Sequence, residues 1–138
     1  MAEVQAMARV RVVYPSLRTG DVVTRLREVR LRLEKRLPIS RMILFGSYAR
    51  ESYTAGSDID VVVVYRGHQM DDAYKIIMNE ARLPRLELRV YTEEQFRGLL
   101  AGSPMFAKVL AREGIEIGGA KEDRAQDGRK EQRLAGPS

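Results

Sequence analysis

"ILFGSYARESYTAGSDIDVVVVY", residues Ile43 to Tyr65, decides how this chain folds. An apolar segment, Arg41 to Phe45, reads as a short strand, and Gly46-Ser47 then opens a turn of helix. The polar loop Thr54-Ala55-Gly56-Ser57 leads into a second, strongly β-branched strand from about Asp58 to Tyr65. Two strands joined by so little chain do not form a standard right-handed βαβ crossover. They predict instead a small mixed sheet backed by helices, an α/β (α+β) fold.

The flanking segments agree. Val22, Leu26, Val29, Leu33 and Leu37 recur at three- and four-residue spacing, which predicts a helix capped by Asp21 and stopped by Pro38. Its other faces carry Arg25, Arg27, Arg30, Arg32, Lys35 and Arg36, a solvated surface with intrahelical pairs to Glu28 and Glu34, or a docking face for an acidic partner or RNA. Asp71 to Arg82 reads as a helix with Ala73, Ile76, Ile77 and Met78 inward. Arg85 to Tyr91 alternates, with Leu86, Leu88 and Val90 on one face and Glu87, Arg89 and Tyr91 on the other. Thr92-Glu93-Glu94-Gln95 is a capping box opening a helix to about Leu100. Ser103-Pro104 starts a last helix that Gly114 closes, and Ile115 to Ile117 adds a short edge strand. Met70, Met78 and Met105 read as core filler.

Residues 1–20 form an N-terminal arm, within which "RVRVVY" alternates like an edge strand. A domain spans 21–118, and 119–138 is a charged tail with almost no large apolar residues, expected to be disordered. The net charge of +5 is uneven: residues 1–40 hold nine Arg/Lys against four Asp/Glu, whereas 41–120 hold ten against eleven. That is not the even basic field of a nucleic-acid coat. Cysteine is absent, so no disulfide framework or thiolate metal site exists, and a reducing cytoplasm fits. The longest apolar run, Val61 to Tyr65, is too short to span a bilayer, and Glu3, Arg9 and Arg11 stand where a secretory leader needs its apolar stretch.

Asp58 and Asp60 are two apart on a strand and therefore project to one face. Two desolvated carboxylates held close together repel, and a divalent cation removes that penalty. An Asp-x-Asp triplet alone is a common pattern that also fits a capped turn and a solvated strand end. Gly46-Ser47 narrows the choice, because glycine lets backbone approach a ligand and the first amides of a helix are free to bind phosphate oxygens. A phosphate cradle and a carboxylate pair on consecutive strands describe a site for a metal-bound nucleoside triphosphate. Neither the P-loop nor the dinucleotide-binding pattern occurs.

Gly46-Ser47, ten residues, then Asp58-Ile59-Asp60 resembles the signature of the DNA polymerase β-like nucleotidyltransferase superfamily. "GSYAR…SDIDVVV" is similar to its minimal nucleotidyltransferase (MNT) branch, with likeness running from about Leu37 to Gly118. The resemblance implies a polymerase β palm-like fold, Gly46 and Ser47 holding the triphosphate, and Asp58 and Asp60 binding Mg²⁺. A third carboxylate is expected from a later strand. Glu87 takes that place, where the family more often has Asp. Arg50 matches the motif's arginine, with phosphate contact and loop bracing both open. Glu51 stands where glycine commonly follows.

The implied chemistry is transfer of a nucleoside monophosphate, AMP from ATP, with two Mg²⁺ ions, to a hydroxyl acceptor. Minimal members resemble the antitoxin of HEPN/MNT pairs, which implies a tyrosine of a HEPN-domain toxin as acceptor. A binding antitoxin that neutralises the HEPN partner by contact and a transferase acting on RNA or a small molecule are the alternatives. Self-assembly is left open, and no membrane partner is implied. His68 reads as a surface loop residue. Tyr48 and Tyr53 read either as base-stacking rings or as packing groups.

Overall fold

The computed structural model describes residues 17–118. The "RVRVVY" stretch and the tail lie outside the described residues, as does most of the arm. Chain order is α1 (Thr19–Leu33), β1 (Ile39–Phe45), α2 (Gly46–Arg50), β2 (Ile59–Tyr65), α3 (Ala73–Ala81), β3 (Leu86–Thr92), α4 (Glu93–Gly102), α5 (Pro104–Glu113) and β4 (Ile115–Glu116). The strands form one sheet in the order β3-β2-β1-β4. β1 runs antiparallel to β2, with Phe45 opposite Asp60 and Ile43 opposite Val62. β2 runs parallel to β3, with Asp60 opposite Glu87, and β4 is antiparallel to β1. The sheet is thus mixed and backed by helices, as expected from the short β1–β2 link.

Strand alternation sends alternate side chains to two cores. Leu44, Ile59, Val61, Val63 and Tyr65 pack beneath the α1 stripe of Val22, Leu26, Val29 and Leu33 and the α3 residues Ala73, Ile77 and Ala81. Each such aliphatic side chain removed from water contributes roughly 1.5–3 kcal/mol before entropic costs. On the opposite face Ile43, Val62 and Val64 meet Phe96 of α4 and Leu110 of α5. This second core is smaller, and towards the start of β2 the same face carries the half-buried Asp60 with exposed Glu87 and Arg89 beside it on β3.

Several readings of the sequence change. Helix α1 starts before Asp21, which lies in its first turn and accepts the Arg18 backbone N–H at 2.9 Å. The Thr19 hydroxyl donates to the Tyr48 carbonyl at 2.6 Å, so a tertiary contact anchors the earlier start. The regular helix ends at Leu33, yet Leu37 keeps its place in the core because a tight turn carries it inward, its N–H donating to the Leu33 carbonyl at 2.8 Å. Arg30 is not on a solvated face. It is 5% exposed and donates both to the Ile117 carbonyl and to Glu34, each at 2.8 Å, tying the chain after β4 to α1. Arg32 pairs across to Glu80 of α3 at 2.6 Å.

Met78 packs against the larger core, but Met70 and Met105 are exposed, Met105 by 73%. Met105 follows the N1 proline of α5 directly, on the outward side of the helix entry. The Thr92 capping box forms as read, with Gln95 N–H donating to Thr92 Oγ1 at 3.1 Å and Thr92 N–H to Gln95 Oε1 at 2.9 Å. No helix among the described residues is long and apolar enough to cross a membrane.

Candidate active site

The signature residues meet at one end of the sheet, where β1 ends and β2 and β3 begin. β1 ends at Phe45, and the chain turns through Gly46 with φ of +79°, a left-handed conformation that side chains resist. A Cβ on Gly46 would collide with the Asp60 carboxylate, Oδ2 foremost. Glycine is therefore required twice at this position, for its backbone angle and for the close approach of the neighbouring strand's carboxylate.

Asp60 stands level with Phe45 on one side and Glu87 on the other. Paired residues on adjacent strands share a face at about 5 Å strand spacing, so Asp60 and Glu87 project together. Asp58, two residues before Asp60, is exposed and lies 3.5 Å from the Arg85 guanidinium. Burial raises the Asp60 pKa above the ordinary carboxylate range, and Asp58 and Glu87 raise it further, against the opposing pull of Arg89 and Arg50. The ionised form of Asp60 is thus disfavoured by its surroundings, the condition a bound cation relieves. Among the described residues no three His, Cys, Asp or Glu side chains converge tightly enough to cage a metal ion. The acids are neighbours that a hard cation can draw together, not a closed cage, and oxygen donors with open positions suit Mg²⁺.

Arg50 and the two tyrosines resolve differently. Arg50 lies 3.4 Å from Glu113, bracing α2 against α5. Tyr48 is buried and stacks on Tyr53 at 4.4 Å between centroids and 7° between planes, so the pair packs on itself within the larger core. Burial, followed by Tyr53, raises the Tyr48 pKa against the smaller opposing effect of Arg85. Glu51, in the place where the motif usually has glycine, closes α2 with φ of +61° and ψ of +33°. That is the left-handed C-cap geometry which favours glycine, so the departure from the motif is a local backbone cost. His68 is exposed beyond β2.

The reading of the sequence passed over Arg89. It follows Glu87 on the same face of β3, opposite Val62, and its guanidinium carbon lies 5.9 Å from the Phe45 ring centroid. Strand alternation places it there, but only the pairing of three strands reveals that its side chain reaches β1.

The family model for the nucleotidyltransferase domain matches residues 26–115, from within α1 to the start of β4. No curated protein matches the chain. Among solved structures, a nucleotidyltransferase from Sulfolobus solfataricus aligns at 19% identity with a TM-score of 0.47, over 58% of this chain and 75% of that one. A toxin–antitoxin structure with AMP-PNP aligns at 18% identity and TM-score 0.48, over 80% of both chains. The Shewanella oneidensis complex of a tri-AMPylated HEPN toxin with its MNT antitoxin aligns at 16% identity and TM-score 0.45, over 85% of this chain and 80% of that one. With its signature residues gathered at one end of a mixed sheet, and a family match running through all of them, the chain belongs to the nucleotidyltransferase domain family.

Proposed function

We propose that this protein transfers AMP from ATP to a hydroxyl acceptor, a tyrosine of a HEPN-domain partner, and acts as the antitoxin of that pair. The observation that carries the transferase reading is the packing of the Asp60 carboxylate against left-handed Gly46, with Glu87 level on the next strand. The HEPN acceptor follows from the resemblance of "GSYAR…SDIDVVV" to minimal nucleotidyltransferases.

In this reading the Gly46-Ser47 corner holds the triphosphate through backbone amide and hydroxyl donors. Asp58, Asp60 and Glu87 would hold two Mg²⁺ ions, which would neutralise triphosphate charge and acidify the attacking hydroxyl. The acceptor oxygen forms its bond to the α-phosphorus as the bond from that phosphorus to the bridging oxygen of the β-phosphate breaks, and pyrophosphate leaves with that electron pair. Glu87, exposed on the same sheet face as Asp60, would accept the acceptor's proton in this reading. Arg50, already engaged with Glu113, braces the loop. The domain's share is positioning and electrostatics.

The test incubates the full chain with labelled ATP, Mg²⁺ and the HEPN-domain protein. The expected result is an AMP adduct on a partner tyrosine that disappears with Asp60→Asn. Tight partner binding without label would replace the transferase with an antitoxin acting by contact, a reading favoured by the longer Glu87 side chain and by Arg85 against Asp58. Label on RNA or a small acceptor would move the acceptor and keep the chemistry.

A further inference from the structure

Three arginines surround the carboxylates, and two are engaged: Arg50 with Glu113 at 3.4 Å and Arg85 with Asp58 at 3.5 Å. Arg89 differs. Among the described residues its guanidinium has no ion pair and no hydrogen bond, and its contact is the face of the Phe45 ring. Glu87 is two residues away on the same strand face, about 7 Å along the strand. The Arg89 side chain nevertheless crosses β2 to Phe45 on β1. Phe45 is itself held edge-on by Phe106 of α5, with centroids 6.0 Å apart and planes at 83°. A rail of Phe106 and Phe45 thus props a guanidinium beside Asp60, immediately before the Gly46-Ser47 corner.

From this geometry we infer that Arg89 is a triphosphate-binding residue, its propped guanidinium donating to non-bridging oxygens of the β- and γ-phosphates of the nucleotide at the Gly46-Ser47 corner. This rests on the nucleotide-site reading above and adds to it a cationic side chain of the protein itself. A guanidinium carries five donors in a rigid fork that matches phosphate geometry, and stacking on an aromatic face leaves its edge free to donate. Placement on a strand, fixed by two rings, means that little side-chain entropy is lost on binding. Arg89 also offsets part of the negative charge around Asp60, which favours the approach of an anionic substrate.

The experiment measures calorimetric binding of AMP-PNP and of AMP, each with Mg²⁺, to the full chain and to its Arg89→Met and Arg89→Lys variants, with melting temperatures alongside. The expected result is at least a tenfold loss of AMP-PNP affinity in Arg89→Met, partial recovery in Arg89→Lys, AMP affinity within about twofold, and unchanged melting. AMP-PNP binding by Arg89→Met equal to wild type overturns the Arg89 assignment and leaves the site reading standing. Equal losses for AMP and AMP-PNP also overturn it, since the contact would then not be with the β- and γ-phosphates. A wild-type chain that binds neither nucleotide overturns the site reading and this assignment together.

Discussion

One sheet presents two unlike faces. On the first, every second residue of β2, from Ile59 through Val61 and Val63 to Tyr65, is buried beneath α1 and α3. On the second, Val62 and Val64 lie under Phe96 and Leu110, but the next residue in the same row is Asp60, with Glu87 and Arg89 beside it on β3. Both faces come from the same strands, so strand propensity does not separate them. Cover does: α1 and α3 bury this row of the first face along its length, whereas on the second face Asp60 is half-buried and Glu87 and Arg89 are exposed. The closed face holds the fold, while the open end can carry groups that would be intolerable under a helix.

The sharpest way to break this contrast is to remove charge from the open end. Asp60→Asn should lower Mg²⁺-dependent AMP transfer by at least about a hundredfold while the far-ultraviolet circular dichroism spectrum stays unchanged. The same variant should melt higher than wild type at neutral pH. Folding raises the Asp60 pKa, so the folded state binds the proton more tightly; that stability is present below the ordinary carboxylate range and lost as pH rises through the raised value. The melting advantage of Asp60→Asn should therefore vanish in acid. Mg²⁺ should raise the melting temperature of wild type but not of Asp60→Asn. A variant that melts below wild type at pH 7 would mean that Asp60 already has a stabilising partner.

Leu44→Ala, on the closed face where the side chain is fully buried, should do the reverse. It should cost about 2–5 kcal/mol in denaturant unfolding, with the transfer rate per folded molecule unchanged. Gly46→Ala joins the two regions. The left-handed backbone alone costs about 1–2 kcal/mol, and displacement of the Asp60 carboxylate should take activity with it. Normal activity in Gly46→Ala would show that the Asp60–Gly46 contact is dispensable. The smallest effect is expected from Glu51→Gly, which relieves the left-handed C-cap of α2 and should stabilise by roughly 0.5–1 kcal/mol with transfer unaltered.

The α1 stripe, the capping box at Thr92, the alternation of β3 and the terminal β4 were all legible because each is a local pattern whose period matches its element. The Asp58/Asp60 pair and Gly46-Ser47 stood out as short motifs at fixed spacing, and the strand pairing brings Asp60 against Gly46. Arg30 was misread because an arginine among arginines looks solvated, and only the return of the chain after β4 brings the Ile117 carbonyl to it. Met105 was misread because hydropathy says nothing about which side of a helix entry faces water. Arg89 was invisible as a site residue, since its reach to Phe45 exists only once β3, β2 and β1 stand side by side.

Local patterns along the chain were enough for the elements, the family and the pairing of Asp58 with Asp60, since periodicity and motif spacing are properties of neighbours in sequence. Three-dimensional packing is what sets Asp60 on Gly46, ties Arg50 to Glu113 and Tyr48 to Tyr53, and carries Arg89 to the Phe45 ring. Those relations join residues whose separation is set by strand pairing and helix cover. Distance in space, not distance in sequence, governs electrostatics and packing.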